Sequence, residues 1–217
     1  MKRFLQCNLL LFGFLFVVSA SVFSQVPPKP KAVDFLGTVH ENTYRNDYFG
    51  FTLTFPKGWI VADRETTDAA TKVGLDVLKG KNERDNKAIE DSLSKEVVLL
   101  NVTKKPVGAL GNAVFMMGTR KQMSDAVTAS MVAEATKSLF DSSPTLRLVA
   151  DTRVRTIGGR KFALLDYALQ ANGQTATIKY FVTVVKGYAI SFSLSYDQDT
   201  DLAELQKVVE SLQFASN

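Results

Sequence analysis

Residues 145–196 read TLRLVADTRVRTIGGRKFALLDYALQANGQTATIKYFVTVVKGYAISFSLSY. Three two-residue turn candidates divide this stretch: Gly158-Gly159, Asn172-Gly173 and Lys186-Gly187. Each puts Gly where a tight hairpin needs positive φ. The segments between them are rich in Val, Ile, Thr, Phe and Tyr. The last alternates Tyr188, Ile190, Phe192, Leu194 and Tyr196 with Ala189, Ser191, Ser193 and Ser195, the period of a strand. Two-residue loops then fix the register. Leu165 faces Tyr180, Leu164 faces Phe181, Phe181 faces Phe192, Val182 faces Ser191 and Val154 faces Ala163. One sheet face collects Phe162, Leu164, Phe181, Ile190 and Phe192. The other collects Val154, Leu165, Tyr167, Ile178, Tyr180, Val182 and Val184. A sheet apolar on both faces must be covered on both. The same register sets Asp166 opposite Lys179 as a cross-strand ion pair.

Helices are available to cover it. Ser124 caps a helix to about Phe140, with Val127, Met131, Ala135 and Leu139 on one side. Asp201, with Glu204 three residues on, starts another carrying Leu202, Leu205, Val208, Val209 and Leu212. Residues 67–95 read as two weaker helices broken at Gly80, the first with Ala70, Val73 and Val77, the second with Ile89 and Leu93. Earlier strands fall at Gly50–Phe55, Trp59–Ala62, Val97–Thr103 and Ala113–Thr119. The expected class is α+β, a three-layer α/β/α sandwich around a mainly antiparallel sheet.

The stretch Tyr44-x-Asn46, then Tyr48-Phe49-Gly50-Phe51-Thr52-Leu53-Thr54-Phe55-Pro56-Lys57-Gly58-Trp59, resembles the opening of PsbP-like proteins. That opening is a Gly-Phe, a short alternating strand, an aromatic-Pro and a nearby Trp. Tyr180–Tyr188 resembles the family's late hairpin, and the helix closing on Ser211-Leu212-Gln213-Phe214 its C-terminus. The resemblance implies an α/β/α sandwich with an antiparallel sheet, shared with Ran-binding proteins of the Mog type. Photosynthetic members are extrinsic lumenal proteins supporting photosystem II; bacterial members are mostly exported. Here a charged helical insert occupies residues 63–96 and a thylakoid-type signal is lacking. Photosystem binding and any metal or halide role are therefore not carried over.

Lys2 and Arg3, an apolar core densest at Leu9–Val18, and small residues before Gln25 form the three parts of a secretory signal over residues 1–24. Val18-Ser19-Ala20 is the competing cleavage point. The apolar core is shorter than the ~20 residues of a membrane span. Gln6 before Cys7 argues against a lipoprotein signal. Val26-Pro27-Pro28-Lys29-Pro30-Lys31 favours polyproline II, so residues 25–42 read as a tether and 43–217 as one domain. The chain has 26 Lys+Arg against 22 Asp+Glu, and the signal takes two cations and no acid from its net +4. The product is not expected to bind nucleic acid. The single Cys leaves with the signal, which excludes disulfides and Cys–metal sites from the exported form.

Arg153, Arg155, Arg160 and Lys161 cluster at the first hairpin, with Arg153 and Arg155 on one face. They could grip an acidic partner, a carboxylate or a phosphate; the plainer reading is a basic strand end that discourages edge pairing. Gly50, Phe51, Phe55, Pro56, Gly58 and Trp59 read as a structural hairpin: Pro56 and Gly58 make the turn and the aromatic rings fill core. His40 reads as solvated. Asp197-x-Asp199-x-Asp201 begins like a calcium loop but lacks Gly at position six and Glu at twelve. Met116-Met117 reads as core, and the sequon at Asn101 falls in a buried strand. No catalytic motif stands out.

The expected product is exported, periplasmic or extracellular, without a membrane span once the signal is cleaved. It is expected to be non-enzymatic and free of cofactor or bound metal, docking onto an envelope or membrane-associated partner. The alternative is a carrier or sensor of a small ligand held between helix and sheet or by Arg153 and Arg155, in a pocket of several hundred Å³. A hydrolase using Asp or Glu is the third reading.

Overall fold

In the computed structural model, which describes residues 35–171 and 173–215, the chain runs β1 (Thr38–His40), β2 (Thr43–Asn46), β3 (Phe51–Thr54), β4 (Ile60–Val61), α1 (Arg64–Leu78), α2 (Glu83–Leu93), β5 (Val97–Thr103), β6 (Val114–Lys121), α3 (Ala129–Phe140), β7 (Leu146–Ile157), β8 (Arg160–Ala171), β9 (Gln174–Val185), β10 (Tyr188–Tyr196), α4 (Asp199–Glu210) and β11 (Gln213–Phe214). Seven strands form one antiparallel sheet in the order β4-β5-β6-β10-β9-β8-β7, and β1-β2-β3-β11 form a second. The register read from the turns holds: Leu165 pairs Tyr180, Asp166 pairs Lys179, Phe181 pairs Phe192 and Val154 pairs Ala163. Gly158 (φ +55°) with Gly159 (+81°), and Lys186 (+51°) with Gly187 (+74°), have the paired positive φ of tight hairpin turns.

Both faces of the large sheet are buried. On one, Leu165, Tyr167, Ile178, Tyr180 and Val182 pack against Leu78 of α1, Ile89 of α2 and Val132, Leu139 and Phe140 of α3. On the other, Phe162, Leu164, Phe181, Ile190 and Phe192 meet Leu205, Val208 and Val209 of α4 together with Tyr44, Phe51 and Leu53 of the small sheet. Phe181 and Phe192 stack with centroids 4.7 Å apart, and each buried ring contributes about 1.5–3 kcal/mol. The three-layer α+β arrangement is as expected, with one amendment: the α4 layer is half helix and half sheet.

That amendment follows from Phe51–Trp59, which is not a hairpin. β3 belongs to the small sheet and β4 to the large one. The turn between them, closed by Trp59 N–H on the Pro56 carbonyl (3.2 Å) with Gly58 at φ +85°, hands the chain from one layer to the other. Phe51, Phe55 and Trp59 are buried, as their spacing requires.

Other expectations shift. Val154 has the period of a core residue but is 61% exposed, because β7 is the sheet's edge and runs beyond the helices covering that face. Helix α3 is capped by Thr128, whose Oγ1 accepts from Met131 N–H (3.3 Å); Ser124 instead serves the turn before it. The buried face rotates with the start, so Val132 and Thr136 point inward and Met131 outward. Helix α4 starts before Asp201, at Asp199, and the Asp201 carboxylate binds Lys104 Nζ at 2.8 Å rather than capping. The segment read as an export signal and most of the stretch read as a tether lie outside the described residues. Residues 38–40, at the tether's end by composition, form β1, where Tyr44 Oη donates to the Leu36 carbonyl and Asn46 Nδ2 to that of Phe35.

Candidate functional site

Strand β7 leaves its outer edge unpaired by other strands among the described residues, and its register shifts between Leu148 and Ala150 and again before Arg153. Beyond those bulges the alternation is regular. Arg153 stands opposite Leu164 and Arg155 opposite Phe162, so both arginines lie on the α4 face. Helix α4 packs over the middle of the sheet and stops short of this margin. A cleft of about 360 Å³ opens between them, floored by Leu164, Phe181 and Leu194 and walled by Gln206 and Val209 of α4.

Asp166 organises the charges in this cleft. Its side chain is 9% exposed, and one oxygen, Oδ2, accepts from Arg153 Nη2 at 2.6 Å and from Lys179 Nζ at 3.0 Å. Oδ1 is buried with no hydrogen-bond partner among the described residues. Arg155 is held only loosely, Nη2 lying 3.8 Å from Glu210 Oε1 with both side chains about half exposed. A carboxylate engaging two cations through one oxygen leaves donors on both for a further acceptor. The lining residues include no Ser, Thr, Cys or His. The arrangement suits holding an anion against an apolar floor.

The four basic residues of the first hairpin therefore separate. Arg153 and Arg155 line the cleft. Arg160 lies with its guanidinium carbon 4.8 Å from the Phe214 ring centroid, a cation–π contact within the domain. Lys161 pairs with Thr156, one residue out of phase with Arg155, and so projects from the opposite face. Lys179 reads from sequence as a cross-strand partner, and the register alone brings it to the cleft. Gln206 and Val209 carry no sequence signal for it, because only tertiary packing decides where α4 ends relative to β7.

His40 is exposed on β1. Trp59 Nε1 donates to Oε2 of Glu204, 3.3 Å away, while Glu204 Oε1 binds Lys104, and the carboxylates of Asp201 and Glu204 together raise the Lys104 pKa to about 12. Met116 and Met117 enter opposite cores. Asn101 is buried and donates to Thr67 Oγ1. Among the described residues, no group of three or more His, Cys, Asp and Glu is placed to hold a metal ion.

A second polar cluster lies between α2 and the sheet and has no motif in the sequence. Glu96 leaves the α2–β5 connection and lays its carboxyl group over Gly118, in the space a β-carbon there would occupy. Ser191 Oγ donates to Oε1 at 3.2 Å, while Oε2 is buried without a hydrogen-bond partner among the described residues. Although the residue as a whole is only half-buried, its carboxyl end is enclosed, and desolvation pushes its pKa up to about 8 against the opposing effects of Ser191 and Arg120. Arg120 donates to Ser92 Oγ of α2, and burial draws its guanidinium down to about 10. Burial also raises the Tyr180 hydroxyl well above its usual value. The one sequence clue was Gly118 inside an apolar strand, which marks a close approach.

No family model and no curated protein sequence matches the chain. Among solved structures it is similar to LpqN, described as involved in cell envelope biogenesis of Mycobacterium tuberculosis, at 11% identity over 76% of this chain and 83% of that one, with a TM-score of 0.47. It is also similar to the cyanobacterial PsbP protein (CyanoP) of Synechocystis, at 19% identity over 80% and 91% of the two chains, TM-score 0.47. A protein of unknown function from Pseudomonas aeruginosa, PA94, matches 54% of this chain and 83% of its own at 18% identity, TM-score 0.43. Among the described residues, no helix is long and apolar enough to cross a membrane.

Proposed function

We propose that the chain is an exported, non-enzymatic binding module that docks onto an envelope or membrane-associated partner through the margin where β7 meets α4. The observation carrying this reading is the convergence of Arg153, Arg155 and Lys179 around an apolar-floored cleft at an open sheet edge. The export signal read in residues 1–24 supports the compartment. The α4-side placement of both arginines supports recognition of an acidic group. Capture from envelope extract with residues 25–217 tests it. The wild-type chain should retain a specific protein, and R155E should lose it. No retained protein, or retention indifferent to R155E, overturns it.

A second reading, a carrier or sensor of a small ligand, is favoured by one feature. The cleft lies between helix and sheet, and its volume of about 360 Å³ falls in the roughly 300–1,000 Å³ range of ligand pockets.

A further inference from the structure

We propose that the β7–α4 cleft binds a small amphipathic monoanion, its carboxylate on Arg155 and Arg153 and its apolar chain on the Leu164–Phe181–Leu194 floor. The inference rests on reading this cleft as the recognition site and adds the class of molecule it takes.

Charge comes first. Five ionic groups border the cleft: Arg153, Arg155 and Lys179 against Asp166 and Glu210. They sum to +1, so a monoanion neutralises the site and a dianion overshoots it. Asp166 is the fixed member, buried and holding two cations on a single oxygen. It acts as a positioning residue, keeping the Arg153 and Lys179 heads together above the floor instead of letting them extend into solvent. Arg155, only 3.8 Å from a half-exposed Glu210, is the cation able to exchange its partner for a ligand carboxylate at least cost. Its planar fork can engage both oxygens.

Shape gives the rest. Leu164, Phe181 and Leu194 come from three adjacent strands, and Val209 faces them from α4. An apolar floor beside a cationic rim matches a ligand with one charged end and one greasy end. The cleft of about 360 Å³ holds roughly a dozen heavy atoms at the ~30 Å³ a water molecule occupies. That suits a short acyl chain or an apolar ring rather than a long lipid.

The test uses three probes on the signal-free chain: decanoate, decanol and acetate, followed by titration calorimetry and by NMR of the Leu and Val methyls. Decanoate should bind about tenfold or more tighter than either of the others, with shifts centred on Leu194, Leu164 and Val209. R155Q, whose side chain stands on the surface and leaves Asp166 its two cations, should weaken decanoate about tenfold without changing the unfolding midpoint. Decanol binding as tightly as decanoate, shifts centred elsewhere, or R155Q binding like wild type each overturns the proposal. If decanoate fails while R155E still abolishes partner capture, the cleft is a docking site without a small ligand. If decanoate binds and no partner is captured, the docking reading falls and this one stands.

Discussion

Asp166 and Lys179 stand directly opposite each other on β8 and β9, and Lys179 Nζ lies 3.0 Å from the Asp166 oxygen that also binds Arg153. Burying a carboxylate this deeply is costly unless cations sit beside it. The pair is therefore part of the fold as well as of the cleft.

Removing the carboxylate should cost more than removing one cation. D166A leaves Lys179 and Arg153 facing each other and should lower unfolding stability by about 2 kcal/mol, below the 3–5 of a fully buried pair because both cations are partly exposed. R153A should cost about 1 kcal/mol or less. Urea midpoints of the two variants check the order; equal losses would show that Asp166 is not the organising member.

Glu96 should make stability depend on pH in the direction opposite to a salt-bridged acid. Its folded pKa, about 8, lies above the ordinary 4.5. Between those values the folded state holds a proton that the unfolded chain releases, so stability falls as pH rises through the window and levels off above it. Arg120 keeps its charge across that window and Tyr180 stays protonated, so Glu96 is the group that titrates. E96Q should flatten the decline and be the more stable protein near the alkaline end. Urea midpoints at about pH 5 and pH 8.5 measure it; identical slopes for E96Q and wild type would refute the assignment.

Gly118 should resist a side chain for one identifiable reason. The β-carbon of G118A collides with the carboxyl end of Glu96, a flexible side chain that must swing aside and give up its Ser191 hydrogen bond. The expected loss is about 1 kcal/mol, the net value of one hydrogen bond. In an E96A background the same substitution should cost well under half as much. Additive losses in the double variant would mean that the two residues do not compete for space.

Much of the fold is legible in the sequence because local rules and global packing agree in the late meander. Gly158-Gly159 and Lys186-Gly187 set the loops, the loops set the register, and the register assigns Phe162, Phe181 and Phe192 to one core and Leu165, Tyr180 and Val182 to the other. What escapes depends on long-range choices. The strands β1 and β11 have three and two residues, too short to carry a period, and exist because β2 and β3 offer them edges. Thr128 and Ser124 are equally good caps in isolation, and packing of Val132 against the sheet selects Thr128. Val154 has the right period for core and the wrong place in the strand order. In the cleft, strand alternation anticipates the shared face of Arg153 and Arg155. The out-of-phase Lys161 follows from the same alternation, whereas Arg160 is diverted by Phe214, a residue that reaches it only through β11.

The claim on which the functional account turns is that the chain meets its partner at the β7–α4 margin. Site-specific photo-crosslinking in intact cells tests this most directly, with the probe at Gln206 in the cleft and, separately, at Lys87 on the outer surface of α2. The account predicts one defined crosslinked species from position 206, abolished by R155E, and none from position 87. Crosslinks from position 87 with none from position 206, or a species at 206 that R155E leaves unchanged, would contradict it.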